Sequence, residues 1–168
     1  MEKLWSPWRS NYISSFKDKK DDDNSCVFCD AQNEDIEDEK SLVVHKGKEV
    51  FVVLNLYPYN NGHLMMIPYR HVSDYTELTK SELAEIMDLN SYCIKALNNI
   101  MKPQGFNFGA NIGKAGGAGI DAHLHFHLVP RWNGDTNFMP ALGDVKIISE
   151  DLLTTKNKLI TEFNKNKL

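Results

Sequence analysis

The chain has 168 residues, 42% of them hydrophobic and 25% charged, a composition that fits one ordinary globular domain with its own core. Its net charge of −4 gathers in Asp21-Asp22-Asp23 and between Glu34 and Glu39, which argues against attraction to a nucleic-acid backbone but leaves a phosphorylated small molecule open as a ligand. No apolar run is long enough to span a bilayer and Met1-Glu2-Lys3-Leu4-Trp5 is no signal peptide, so a cytoplasmic protein without membrane or nucleic-acid partners is expected.

The first segment, Leu4-Trp5-Ser6-Pro7-Trp8-Arg9, is aromatic, and its tryptophans, like Trp132, are expected to pack inside the protein or at a subunit interface. The charged stretch Lys17 to Asn24 reads as an exposed connector. Cys26-Val27-Phe28-Cys29 holds two of three cysteines, too few for a disulfide framework and typical of metal or redox work in a reducing compartment. After an acidic loop, Leu42 to His45 and Glu49 to Leu54 read as a hairpin turning at Lys46-Gly47-Lys48. The turn Asn60-Asn61-Gly62 leads into a third strand, His63 to Ile67, ended by Pro68.

Thr79-Lys80-Ser81-Glu82 fits a capping box, and Leu83, Ile86, Met87, Ile94, Leu97 and Met101 recur at helical spacing, predicting a helix from Lys80 to Met101 with Cys93 in its core. Phe106, Phe108 and Ala110 alternate with Asn107, Gly109 and Asn111 as a fourth strand, and Gly113 to Gly119 forms a glycine-rich loop whose N–H groups could converge on an anion. Ser149, with Glu150 and Asp151, is expected to cap a C-terminal helix striped by Leu152, Leu153, Leu159, Ile160 and Phe163. The order of elements predicts an α+β fold: an antiparallel sheet of about five strands, one long helix between strands and a C-terminal helix.

The most telling segment is Asp121-Ala122-His123-Leu124-His125-Phe126-His127-Leu128-Val129-Pro130-Arg131, which holds half of the chain's six histidines. In a strand, His123, His125 and His127 share one face while Leu124, Phe126 and Leu128 enter a core. A helix would scatter the same side chains through roughly 200° per step. Neutral imidazole serves as metal ligand, general base or nucleophile.

The pattern His-φ-His-φ-His-φ-φ at residues 123 to 129, behind a glycine loop, resembles the motif of the histidine triad (HIT) superfamily of nucleotide hydrolases and transferases. Asn60 to Pro68 resembles its second characteristic segment, and the likeness runs from Cys26 to Arg131. Trp5-Ser6-Pro7-Trp8-Arg9 and Val129-Pro130-Arg131-Trp132-Asn133-Gly134-Asp135-Thr136-Asn137-Phe138-Met139 are similar to the diadenosine tetraphosphate phosphorylase or hydrolase branch. The resemblance implies one domain over residues 1–168: an N-terminal segment to 25, a core over 26–131 and a C-terminal extension over 132–168.

It also implies that His125 attacks the α-phosphorus of a nucleotide or dinucleoside polyphosphate, forming a nucleotidyl-histidine that water or phosphate resolves, with His127 and His63 as the other catalytic histidines. His127 would also contact phosphate. Asn55 would meet the ribose, Asn111 the nucleotide, and Lys114 with the backbone of Gly119 and Ile120 the phosphate. Ile120 departs from the Ser or Thr that relatives often carry there. By the same resemblance Cys26, Cys29, His71 and His123 would hold a structural zinc, with His45 a competing fourth ligand, no organic cofactor, and a homodimer sharing one extended sheet. Two other functions fit the residues: a hydrolase whose His123 and His125 hold a catalytic zinc, and a non-catalytic nucleotide-binding module.

Overall fold

The computed structural model describes residues 26–136 and 148–165. Trp5, Trp8, the Lys17 to Asn24 connector and Asn137 to Met139 lie outside them. Strands β1 (Val43–Lys46), β2 (Val50–Leu54), β3 (Leu64–Pro68), β4 (Gly105–Ala110) and β5 (Phe126–Arg131) form one sheet in the order β1-β2-β3-β5-β4. Every neighbouring pair is antiparallel. Helix α1 (Val27–Ala31) precedes the sheet, α2 (Lys80–Met101) links β3 to β4, and α3 (Leu152–Lys165) ends the described chain. No helix among the described residues is long and apolar enough to cross a membrane.

Alternation sorts the strands onto two faces. Val50, Val52 and Leu54 join Leu64, Met66, Phe126 and Leu128 beneath α2 and α3, while Phe51, Val53, Met65 and Ile67 face the other way around Phe28 of α1. Strands β2 and β3 are thus buried on both faces, which is why they read as nearly continuous apolar runs.

Helix α2 has the bounds its spacing predicts. Thr79 Oγ1 accepts from the Glu82 N–H at 3.1 Å, and Glu82 Oε2 accepts from the Thr79 N–H at 2.8 Å. Arg70 Nε and Nη2 add bonds to the same buried carboxylate at 3.0 and 2.9 Å, so the helix start is tied to the chain leaving β3. At the other end of the hairpin, Glu85 accepts the N–H groups of Lys48 and Glu49 at 2.7 and 2.6 Å. A Cβ on Gly47 would stand 2.5 Å from that Glu85 Oε1 and 2.7 Å from the Val50 carbonyl. Gly47→Ala therefore destabilises the fold by about 1–3 kcal/mol, read as an earlier midpoint in urea with unchanged slope.

Three expectations are corrected. The triad is not one strand: β5 begins at Phe126, because β3 pairs with it only from Leu64 to Met66, and the Leu124 N–H turns instead to the Val72 carbonyl at 2.7 Å. Helix α3 is capped by Asp151 rather than Ser149, with Asp151 Oδ1 accepting from the Thr154 N–H at 2.8 Å. Its buried seam is Thr155, Lys156, Leu159, Glu162 and Phe163, while Leu153 is exposed. The polar seam members find partners: Lys156 Nζ donates to the Asp38 carbonyl at 2.6 Å, and Asn99 Nδ2 donates to Glu162 at 2.7 Å. Third, His45 is not among the residues clustered with the cysteines. It packs half-buried against Tyr92 and Phe163, each ring centroid 5.7 Å away. Cys93 is fully buried in the core, as its place in the helical stripe suggests.

Candidate active site and metal centre

Met65 of β3 stands directly across from His127 of β5, so both point to the face away from α2. His63, two residues earlier, shares that face, and its Nε2 lies 2.9 Å from His127 Nδ1. The protons can be assigned from the partners. His63 Nδ1 meets the Tyr59 N–H at 3.1 Å and the Asn55 amide Nδ2 at 3.2 Å, both donors, so it accepts and its proton sits on Nε2. His127 Nδ1 accepts that proton's bond, which places the His127 proton on Nε2. That Nε2 is buried with no hydrogen-bond partner among the described residues.

His125 has the opposite assignment. Its Nδ1 lies 2.9 Å from the His123 carbonyl, which can only accept, so Nδ1 carries the proton and Nε2 the lone pair. An uncharged imidazole with a free lone pair thus stands beside an uncharged imidazole with a free donor, the ring centroids 4.9 Å apart.

Both histidines line a cleft of about 400 Å3. Its walls are Val27, Phe28 and Ala31 of α1, Leu42, Leu54, Leu56 and Met65, and its lining also includes Asn55, Asn111, Gly119 and Ile120. Apolar walls with a few convergent polar groups fit a small organic ligand such as a nucleoside. Phe28 packs against His125 at 4.9 Å and His123 at 5.6 Å between centroids. The glycine loop is wound by Gly113 (φ +69°) and Gly117 (φ +90°), left-handed positions that favour glycine. Its N–H groups at Gly116, Gly117 and Ala118 bond the loop's own carbonyls, so they do not converge on an anion. Lys114 does not line the cleft; it lies 3.7 Å from Asp121 and is highly exposed. Asn55 lines it, with Oδ1 accepting from the Tyr57 N–H at 2.9 Å.

The remaining triad member faces elsewhere. His123 Nε2 donates to the Pro68 carbonyl at 2.9 Å, leaving the Nδ1 lone pair turned to Cys26 Sγ at 3.2 Å and Cys29 Sγ at 3.6 Å. His71 Nδ1 lies 3.2 Å from Cys29 Sγ, and the four ligand atoms all fall within 4.8 Å of one another. Tetrahedral zinc with its usual bond lengths sets ligand atoms about 3.3–3.8 Å apart, so this quartet fits. Burial, then the neighbouring Cys26, pushes the Cys29 thiol up, a cost that a bound dication reverses.

Burial is also the main cause that holds His63 and His127 neutral. His63 is lowered to about 3, by burial and then by His127 and His125, and His127 to about 4, by burial and then by His125. An unfolded histidine titrates near 6.5. Between that value and about 3 to 4 the unfolded chain binds protons that the folded chain refuses, so this stability is full above pH 6.5 and is lost as pH falls. The slope is at most about 1.4 kcal/mol per pH unit for each group. Urea unfolding at pH 7, 5.5 and 4.5 is expected to trace that loss, and His63→Asn to flatten it.

Two residues of this site carry no signal of their own in the sequence. Tyr59 fixes His63 with its backbone N–H and lays its ring 4.7 Å from the His63 ring. Phe28 walls the cleft from between the two cysteines. The only hints are their positions: one precedes the Asn60-Asn61-Gly62 turn, the other lies inside Cys-x-x-Cys.

Comparison with known proteins now bears on this arrangement. The chain is 43% identical over 165 residues to the AP-4-A phosphorylase of Mycobacterium tuberculosis, covering 97% of this chain and 85% of that protein. It is 28% identical over 109 residues to the adenosine 5'-monophosphoramidase hnt1 of Schizosaccharomyces pombe, 65% of this chain and 76% of that one. Among solved structures, a zinc-bound histidine triad family protein from Mycobacterium smegmatis shares the fold at a TM-score of 0.66 and 23% identity, over 84% of this chain and 95% of that one. Residues 37–134, more than half of the chain, match the HIT domain, and the chain belongs to the HIT domain family.

Proposed function

We propose that this HIT-domain chain is a nucleotide-processing enzyme that cleaves a dinucleoside polyphosphate of the diadenosine tetraphosphate kind at its α-phosphorus. The observation that carries this reading is the His125 tautomer: with Nδ1–H bound to the His123 carbonyl, the Nε2 lone pair is free beside an apolar cleft. Attack forms an Nε2–P bond as the P–O bond to the departing polyphosphate breaks. The ring keeps its Nδ1 proton, and the positive charge it gains lies against the His123 carbonyl. A polyphosphate needs no proton to leave, so the His127 Nε2–H serves as a hydrogen-bond donor to the developing oxygen charge. His63 is a positioning residue that holds His127 in the donor tautomer. Phosphate or water, entering where the polyphosphate left, breaks the Nε2–P bond and restores His125.

Zinc is the metal proposed for Cys26, Cys29, His71 and His123. When bound it supplies no Lewis acid to the substrate but a link between α1 and the sheet. A homodimer is proposed from the edge of β4, which no strand among the described residues pairs.

The relatives support the substrate class: one is named an AP-4-A phosphorylase, another an adenosine 5'-monophosphoramidase. The deciding test incubates the protein with diadenosine tetraphosphate, with and without phosphate. ADP plus ATP formed only with phosphate identifies phosphorolysis, and AMP plus ATP identifies hydrolysis. Binding without cleavage of this substrate or of adenosine 5'-phosphoramidate would instead make the chain a binding module. Turnover abolished by chelation, with the metal lost in His125→Ala, would move the chemistry to a metal-activated water, whereas an inactive His125→Ala that keeps its metal supports the nucleophile.

A further inference from the structure

A second cleft of about 380 Å3 opens on the same face, lined by Tyr59, Asn107, Gly109, Asn111, His127 and Arg131. It shares Tyr59, Asn111 and His127 with the first cleft but not His125. We infer that this second cleft receives the departing nucleoside polyphosphate, so that the two halves of the substrate lie on either side of His127. The inference deepens the function proposed above and rests on it.

In-line displacement requires the leaving oxygen to depart on the side of phosphorus away from the nucleophile. With the retained nucleotide in the apolar cleft and phosphorus against His125, the departing group passes His127. His127, whose buried Nε2–H has no hydrogen-bond partner among the described residues, lines both clefts. Beyond it the lining mixes Asn107, Asn111 and Arg131 with Phe108, Ala110 and Val129, without being strongly charged. Arg131 donates from Nε and Nη2 to the Asp135 carboxylate at 2.6 and 2.9 Å and from Nη1 to Asn107 Oδ1 at 2.8 Å, so an acid already balances its charge. Amides and a Tyr ring suit a ribose and base better than a run of free phosphates.

Strand register supplies the test. Gly109 of β4 stands directly opposite His127 of β5, so a side chain at 109 would point onto the same face. A Cβ built there meets nothing within 4 Å, and the backbone is not left-handed. The series Gly109→Ala, Gly109→Val and Gly109→Phe therefore fills the second cleft progressively, with β-compatible side chains in the last two.

For each protein, kcat/KM is measured with diadenosine tetraphosphate and with adenosine 5'-phosphoramidate, whose leaving group is no larger than ammonia. The expected result is a ratio of the first to the second that falls stepwise, by about tenfold or more at Phe. Should Gly109→Phe fail to fold, the Val variant is expected to show the same fall in smaller measure. Ratios within twofold of wild type in every folded variant overturn the inference while leaving the enzyme reading intact. A wild-type protein that cleaves neither compound overturns both.

Discussion

His125→Ala is expected to lower kcat for dinucleoside polyphosphate cleavage by on the order of 10⁴ to 10⁶-fold, the scale on which removing a covalent nucleophile acts. Wild-type protein quenched during turnover should carry a nucleotidyl adduct by mass spectrometry, and His125→Ala should carry none. His125→Gly with added imidazole should recover part of the rate, because the cleft would then accept a free ring where the side chain stood. His127→Ala keeps the nucleophile but loses the donor to the leaving oxygen, so its cost should be smaller, about 10²–10³-fold. His63→Asn should act only through His127. An adduct found in His125→Ala, or a full rate in that variant, sinks the mechanism.

Loss of the proposed zinc is expected to act on binding rather than on the chemical step. Helix α1 spans five residues, too few to be stable alone, and its N-cap Cys26 makes no side-chain capping bond. Two of the four clustered ligands, Cys26 and Cys29, belong to this helix and its cap, while His71 and His123 follow β3 and precede β5. The same helix carries Val27, Phe28 and Ala31 into the cleft wall. Releasing the ion therefore frees a wall of the nucleoside site.

His71→Ala tests this cleanly, because His71 is exposed and does not line the cleft. It should lose bound zinc by elemental analysis, weaken AMP binding about tenfold or more, and speed hydrogen exchange over residues 26–36 while β2, β3 and α2 stay protected. An ion held at about 1,000 times its Kd contributes about 4 kcal/mol to stability, so the unfolding midpoint should fall as well. Unchanged AMP affinity and unchanged exchange in a zinc-free His71→Ala protein would show that the ion does not hold this wall.

The sequence alone made much of this fold legible. The apolar runs Val50 to Leu54 and Leu64 to Pro68 mark two strands whose pleat sorts side chains onto two faces, and the Thr79 to Glu82 box with its apolar spacing sets α2 to the residue. Motif spacing, read with the family resemblance, also picked out Cys26, Cys29, His71 and His123, whose ligand atoms the fold gathers within 4.8 Å. These are local properties: pleat, helical pitch and capping need only near neighbours in the chain.

Contacts between distant segments decided the rest. The triad looks like one strand from within, yet the ladders of β5 with both β3 and β4 begin only at Phe126. His45 reads as a competing ligand until Tyr92 and Phe163 pack against it, and only the fold sets Lys114 beside Asp121. Above all, His123, His125 and His127 are chemically equal in the sequence and distinct in the fold. Pro68, the His123 carbonyl and His63 each hold one ring nitrogen and so decide which nitrogen of each ring is left free. An imidazole's tautomer follows from its hydrogen-bond partners, and two of these three come from β3 and the residue just before it, more than fifty positions away in the chain.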